Sequence, residues 1–267
     1  MHSCQHNINL LVSLIAYHPI FFPLLFLLGL FLGSFANVCI YRLPYDKGIA
    51  LGFSYCPKCN TQIVWYDNIP LLSYFLLGGK CRKCKKKISP LYFFNELLVA
   101  CAFVLFFQIF DFYLAIALAI LFLVYVIIFF IDLRHYIIPN ELNFLLIFLG
   151  ILKSTIPEFN YQLFPTLEMS LLGAVAGYLV IWIIIFMYKK IRNIEAMGLG
   201  DAKLLAAMGA WFGIISLPYI LFLASILGLV FALPSLLKKK KNLQSKIPFG
   251  PFLILANSVY LIGILYL

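Results

Sequence analysis

The sequence predicts an all-α polytopic membrane protein with about eight transmembrane helices and a cytoplasmic four-cysteine loop. Of the 267 residues, 64% are hydrophobic and only 11% are charged, whereas a soluble domain carries about 25% charged residues. The apolar residues fall in runs close to the ~20 residues that a membrane-spanning helix needs. Because the cations lie between these runs, the net charge of +10 indicates membrane topology, and we expect no nucleic-acid partner.

The membrane spans follow from the apolar runs along the chain. They are placed at residues 20–40, 91–110, 113–131, 141–153, 166–188, 202–215, 217–237 and 249–267. The fourth and sixth are short, so we expect them to tilt into the protein core or to extend into flanking residues. Residues 1–17 contain no Lys or Arg, so the N-terminus lacks the basic region of a cleavable signal. The first run is therefore expected to remain as a span.

The distribution of Lys and Arg orients these spans. Nineteen of the 20 cations lie in segments on one side, and Lys153 alone lies on the other. By the positive-inside rule the cation-rich side is cytoplasmic, which places both chain ends outside. The run Lys238–Lys241 is interpreted as a lipid-facing topology anchor. Asp132 and Asp201 then share the cytoplasmic side, as two residues must if they act together.

The cytoplasmic loop 41–90 contains two CxxC pairs separated by 21 residues. This spacing resembles that of a zinc ribbon, in which four thiolates form a closed tetrahedral site. Two disulfides or four idle thiols are the alternatives, and a reducing cytoplasm disfavours disulfides. Since a closed site has no open coordination position, we expect structural zinc bound by Cys56, Cys59, Cys81 and Cys84.

Two aspartates stand where apolar runs meet the cytoplasmic side. Asp132 closes the run 125–131, and Asp201 ends the short motif Gly198-Leu199-Gly200-Asp201. Carboxylates next to the hydrocarbon region are costly and mark functional sites. Peptide hydrolysis by two carboxyl groups needs one charged and one neutral, a state that proximity and low dielectric produce. The pair therefore predicts a membrane-embedded aspartic protease.

The alternatives for each aspartate are structural. Asp201 could cap the following helix or pair with a nearby lysine such as Lys203, and Asp132 could be an acid at the headgroup region. Glu141 is the rival for the catalytic role of Asp132, although it looks like a first-turn acid of the next helix. Gly198 and Gly200 would let substrate backbone or a facing helix approach Asp201.

Several short motifs follow one another along nearly the whole chain. They are Gly33-Ser34-Phe35-Ala36-Asn37-Val38, Tyr41-Arg42-Leu43-Pro44, the two cysteine pairs, Trp65-Tyr66-Asp67-Asn68-Ile69-Pro70, Asn95-Glu96-Leu97-Leu98, Asp132 with Ile138-Pro139-Asn140, Gly198-Leu199-Gly200-Asp201-Ala202-Lys203, and Ile247-Pro248-Phe249-Gly250-Pro251-Phe252. In this set and order the chain resembles the prepilin leader peptidases of type IV pilus, type II secretion and competence systems.

The resemblance implies a GxGD-type aspartic protease of the bacterial inner membrane. Such an enzyme removes the basic leader from prepilins or pseudopilins at the cytoplasmic face, with Asp132 and Asp201 as the catalytic pair. It also implies N-methylation of the new N-terminus, with S-adenosylmethionine as methyl donor. Methylation is associated with the N-terminal region 1–110 and peptidase activity with the six-span region 111–267. Glu96 is a weak candidate for the cofactor site, and a satisfied structural acid is the alternative.

Two other classes of protein are compatible with parts of this pattern. A transporter or channel would use Asp132 and Asp201 to bind a cation, but it predicts acids near the membrane midplane and leaves the cysteine loop unexplained. A zinc-stabilised membrane scaffold would keep the loop without catalysis. Leader cleavage that depends on both aspartates separates the protease from these alternatives.

Overall fold

The computed structural model describes residues 20–49, 53–156, 164–192, 197–237 and 247–266. These residues are mainly helical and contain no strand beyond two isolated β-bridges in the cysteine loop. Short 3₁₀ turns lie at Leu43–Tyr45 and Trp65–Asn68. The α-helices are α1 Phe21–Arg42, α2 Leu72–Leu76, α3 Pro90–Ile109, α4 Phe112–His135, α5 Asn140–Lys153, α6 Leu167–Arg192, α7 Leu199–Phe212, α8 Ser216–Leu237 and α9 Gly250–Tyr266.

A helix occupies each apolar run, but the count of eight spans is not confirmed. Within the described ranges, five helices are long and apolar enough to cross a membrane, namely α1, α3, α4, α6 and α8. The short fourth and sixth runs form α5 and α7, each of 14 residues. At 1.5 Å per residue they measure about 21 Å, less than the ~30 Å of the hydrocarbon layer. They do not extend into flanking residues enough to span it.

The chain divides into two compact units, Met1–Ile127 and Ile128–Leu267. In the first unit, α1 and α3 pack as an antiparallel pair through small residues. A methyl group on Gly29 would lie 2.6 Å from the Cα of Ala100, and one on Gly33 would lie 2.7 Å from the Cα of Glu96. The two glycines therefore set how closely these helices approach.

The second unit is organised around α7, most of which is buried. Gly173 and Gly177 of α6 lie against the backbone of α7 at Gly209 and Leu205, so these two helices run antiparallel and nearly touch. On another side, the indole Nε1 of Trp211 donates to the carbonyl of Leu146 in α5 at 2.8 Å. These contacts fix the helix that carries Asp201.

Lys153, the one cation assigned to the outer side, is an interior residue. Its side chain is buried, and its Nζ lies 4.1 Å from the ring centre of Phe164 and 5.7 Å from that of Trp211. A cation over aromatic faces is stabilised by the ring quadrupoles. The predicted lipid anchor Lys238–Lys241 lies outside the described residues.

Candidate functional site

Four helix ends meet in the second unit, and both predicted catalytic aspartates lie where they meet. Asp132 is in the last turn of α4, and Asp201 is in the first turn of α7. Asn143 of α5 donates to the carbonyl of Gly200 at 3.3 Å, and the N–H of Gly250, the first residue of α9, donates to Asp132. Helix N-termini carry partial positive charge, so the beginnings of α5, α7 and α9 favour negative charge here.

Asp132 is held by the beginning of α9. Its side chain is 4% exposed, and its Oδ2 accepts the N–H of Gly250 at 3.0 Å across 118 residues of sequence. A backbone donor bound to a carboxylate oxygen fixes the rotation of the side chain and supports its charged form. Asp132 is thus a positioned interior carboxylate, which disfavours the alternative of an acid in the headgroup region.

Asp201 is buried beside a second carboxylate. Its side chain is 8% exposed, and its Oδ2 accepts the N–H of Gly198 at 3.2 Å. Burial raises the pKa of the Asp201 carboxyl above its usual range, and the nearby charge of Asp132 raises it further, against the lowering effect of the Gly198 N–H. The capping role considered for Asp201 is therefore present, but it coexists with electrostatic coupling to Asp132.

Ile138, in the linker between α4 and α5, joins the two aspartate-bearing segments. A Cβ on Gly200 would lie 3.1 Å from the Cβ of Ile138, and one on Gly250 would lie 3.0 Å from its Cδ1. Gly200 therefore allows the linker at Ile138 to come close to the beginning of α7. A Cβ on Gly198 would make only ordinary contacts, the nearest being 3.7 Å from Oδ2 of Asp201.

The alternative catalytic acid, Glu141, and the alternative partner of Asp201, Lys203, make other contacts, or none, among the described residues of this site. Glu141 is exposed in the first turn of α5, where the sequence placed it as a first-turn acid. The Nζ of Lys203 donates to Oδ1 of Asn140 at 2.6 Å and makes no ion pair with Asp201 among the described contacts. The geometry therefore brings Asp132 and Asp201 together and leaves Glu141 at the surface.

The four predicted metal ligands converge in the first unit. The Sγ atoms of Cys56, Cys59, Cys81 and Cys84 all lie within 4.8 Å of one another. Cys56 and Cys84 are 4.0 Å apart, as are Cys59 and Cys81. Thiolates bound at ~2.3 Å in a tetrahedron would be about 3.8 Å apart, so the cluster fits a Cys4 metal ion. The cysteines are free, which excludes the two-disulfide alternative in this structure.

Both cysteine pairs adopt the same turn. In each, the N–H of the residue after the second cysteine donates to the carbonyl of the first, from Asn60 to Cys56 at 2.8 Å and from Lys85 to Cys81 at 3.0 Å. Asn60 and Lys85 have φ values of 53° and 57°. This repeated left-handed conformation turns each pair of sulfurs toward one point.

An ion pair between Arg82 and Asp67, which was not predicted from the sequence, links two parts of the loop. Arg82, within the second cysteine pair, donates through Nε and Nη2 to both carboxylate oxygens of Asp67 at 2.7 and 2.6 Å. Its guanidinium also lies 5.4 Å from the ring centre of Tyr66. Hydrogen bonding from Arg82 lowers the pKa of Asp67 below its usual range. Asp67 lies in the motif Trp65-Tyr66-Asp67-Asn68-Ile69-Pro70, but only the fold shows which cation it faces.

Glu96, the weak cofactor candidate, is surrounded by donors from its own unit. Its Oε2 accepts the N–H of Leu71 at 2.9 Å, and the side chains of Ser34 and Asn37 lie close to it. Leu71 has φ 57° and ψ −51°, a conformation that costs a non-glycine residue about 1–3 kcal/mol. These contacts favour the alternative of a satisfied structural acid that holds the loop. A cofactor role for Glu96 stays a prediction.

Comparisons with family models and with individual proteins agree on one family. A model described as "Bacterial Peptidase A24 N-terminal domain" matches residues 27–110, and one described as "Type IV leader peptidase family" matches residues 117–233. A protein of Aeromonas salmonicida named prepilin leader peptidase/N-methyltransferase is 35% identical, with 91% of each chain covered. The chain belongs to the type IV leader peptidase family.

Relatives with the same name occur in other bacteria. One from Stutzerimonas stutzeri is 36% identical with 94% of each chain covered, and one from Neisseria gonorrhoeae is 35% identical with 90% of this chain and 89% of the relative covered. No solved structure matches the chain significantly. The family and its apolar helices identify a multi-pass membrane protein.

Proposed function

We propose that this protein removes the leader peptide of type IV prepilins or pseudopilins by aspartic-protease chemistry, with Asp132 and Asp201 as the catalytic pair. The observation that carries the proposal is the meeting of these two buried carboxyl groups, each with a backbone N–H donor, at the convergence of four helix ends. Membership of the type IV leader peptidase family supports this activity. The products serve pilus, type II secretion or competence pilus assembly.

The chemistry needs one proton shared between the two carboxyl groups. Asp132, stabilised as an anion by the N–H of Gly250, removes a proton from water as the water oxygen attacks the scissile carbonyl carbon. Asp201, whose proton is retained by burial and by the charge of Asp132, donates to the carbonyl oxygen. Collapse of the tetrahedral intermediate breaks the C–N bond: the proton taken by Asp132 passes to the departing amine, and one hydroxyl of the intermediate returns its proton to Asp201 as the carboxyl group forms.

The second activity assigned is methylation of the newly exposed N-terminal amine, with S-adenosylmethionine supplying the methyl group. The name shared by the relatives, prepilin leader peptidase/N-methyltransferase, supports it. We assign methylation to the region 1–110 and peptidase activity to 111–267, a division near the boundary between the two family models. Zinc in the Cys4 cluster has a structural role, because four thiolates leave no coordination position for substrate.

The location follows from the same reasoning. The enzyme is a multi-pass protein of the bacterial inner membrane, with the aspartates on the cytoplasmic side, where the basic leader of a prepilin is found. The excess of Lys and Arg on that side of the spans supports this orientation. Prepilin or pseudopilin substrates and the lipid bilayer are its partners.

One incubation tests both activities. The purified protein in detergent is mixed with a full-length prepilin and S-adenosylmethionine, and the product mass is measured. We expect a product that lacks the leader and carries one added methyl group. Leader removal without methylation would remove the second activity from the proposal, and an intact prepilin, with the enzyme folded and zinc bound, would contradict the first.

A further inference from the structure

We infer that Gly250 is a positioning residue for Asp132, and that leader cleavage requires the absence of a side chain at this position. The inference rests on the proposed function and deepens it. Gly250 lies at the beginning of α9, and its N–H donates to Oδ2 of Asp132 at 3.0 Å. It is the donor identified for this carboxylate among the described residues, and it comes from 118 residues away.

The space around Gly250 leaves no room for a side chain. A Cβ there would lie 2.6 Å from Oδ2 of Asp132 and 3.0 Å from Cδ1 of Ile138. Since ordinary contacts begin at 3.4 Å, an added methyl group changes the separation between the backbone of Gly250 and the Asp132 carboxylate by about 0.8 Å. A displacement of this size at a reacting group lowers the rate by up to about 10²-fold.

The contact of Ile138 with Gly200 and Gly250, here called the joint, sets the spacing between the two aspartates. Ile138 contacts the position of Gly250 on one side and that of Gly200 on the other. Gly200 directly precedes Asp201, and Gly250 holds Asp132. Displacement at Gly250 therefore changes the geometry of the pair, while the surfaces that would bind a distant part of the substrate stay in place. The expected defect is in kcat and not in KM.

The test compares Gly250→Ala with Gly263→Ala in the full-length enzyme. Gly263 lies on the same helix, and a Cβ there would meet nothing within 4 Å. We expect Gly250→Ala to lower kcat for leader removal by about 10- to 100-fold with KM within about twofold. Gly263→Ala should match the wild type. Wild-type kcat in Gly250→Ala would overturn the inference while leaving the protease intact, whereas an inactive wild type would contradict the proposed function itself.

Two double variants separate Asp132 from the other neighbours of Gly250. Ile138→Val removes Cδ1, and Pro251→Ala removes the restriction that a proline imposes on the preceding residue. Added to Gly250→Ala, neither change should restore kcat, because the conflict with Asp132 remains. Recovery of kcat in either double variant would show that Ile138 or Pro251, and not Asp132, is the reason that position 250 must be glycine. The inference would then fail.

Stability is measured in parallel so that misfolding is not mistaken for loss of positioning. If Gly250→Ala does not fold, Ile138→Ala carries the same prediction, since it removes volume from the joint and adds none. It should lower kcat by about tenfold with KM within about twofold, because loosening the joint misplaces the reacting groups. Wild-type kcat in folded Ile138→Ala would overturn the inference.

Discussion

Gly209→Ala should destabilise the protein at the crossing of α6 and α7. A Cβ on Gly209 would overlap the backbone carbonyl of Gly173 and come within 3.1 Å of the N of Ala174. Both neighbours are backbone atoms that cannot rotate away, so the helices must separate. Overpacking of this kind costs about 1–3 kcal/mol, and for a protein of this size each kcal/mol lowers Tm by about 2–4 °C. The expected fall in Tm is therefore about 2–12 °C.

The assay is thermal unfolding in detergent, followed by tryptophan fluorescence. Trp211, buried on α7 next to the crossing, reports the local transition, and Gly263→Ala is the matched control because its Cβ meets nothing. Leader cleavage at a fixed temperature should fall with Tm, since α7 carries Asp201. A Tm within about 1 °C of the control would refute the argument that a glycine contact sets this helix crossing.

The remaining predictions concern pH, metal and the loop. Burial raises the pKa of Asp201, so its neutral form stabilises the fold at low pH and that contribution is lost as pH rises through the raised pKa. Asp201→Asn should therefore melt above the wild type at pH 9 and close to it at pH 4. Cys81→Ser should lower bound zinc below one equivalent and expose loop 41–90 to protease, because three thiolates remain. Asp67→Asn should loosen the same loop at pH 7, where the Arg82 ion pair is intact. This difference should shrink as pH falls below the lowered pKa of Asp67.

Each of these outcomes can fail in a recognisable way. A Tm of Asp201→Asn below the wild type at pH 9 would mean that the buried charge is compensated by groups not identified at the site. Full zinc content in Cys81→Ser would remove that thiol from the metal site, with Cys101→Ser as the thiol control outside the cluster. Equal proteolysis of Asp67→Asn and wild type at pH 7 would show that the ion pair does not restrain the loop.

Hydropathy located the helices because burial in lipid requires long apolar runs, a property that is local in sequence. The observed α4 and α8, for example, begin within one residue of the runs predicted at 113 and 217. The same signal showed that the runs of α5 and α7 are short, but it could not decide whether these helices extend into flanking residues, because that depends on the residues packed around them. Lys153 shows the same limit, since one of its aromatic neighbours, Trp211, comes from a distant part of the chain.

The aspartates could be selected from sequence because charge beside an apolar run is rare and costly. Their hydrogen-bond donors could not, because Gly250 reaches Asp132 only through the tertiary arrangement of α4 and α9. The CxxC spacing located the four-cysteine cluster directly, since a short turn fixes two sulfurs locally. The ion pair between Asp67 and Arg82 depends on how the loop folds back on itself, so it was found only in the structure.

The rate of leader removal by Asp132→Asn and Asp201→Asn tests the central claim most directly. Glu141→Gln is the matched control, because this acid is exposed at the beginning of α5 and was the rival for the catalytic role. We expect each aspartate variant to lose cleavage by at least about 10³-fold with zinc content and folding unchanged, and Glu141→Gln to cleave like the wild type. Cleavage retained in either aspartate variant, or lost in Glu141→Gln alone, would contradict the assignment of this pair as the catalytic centre.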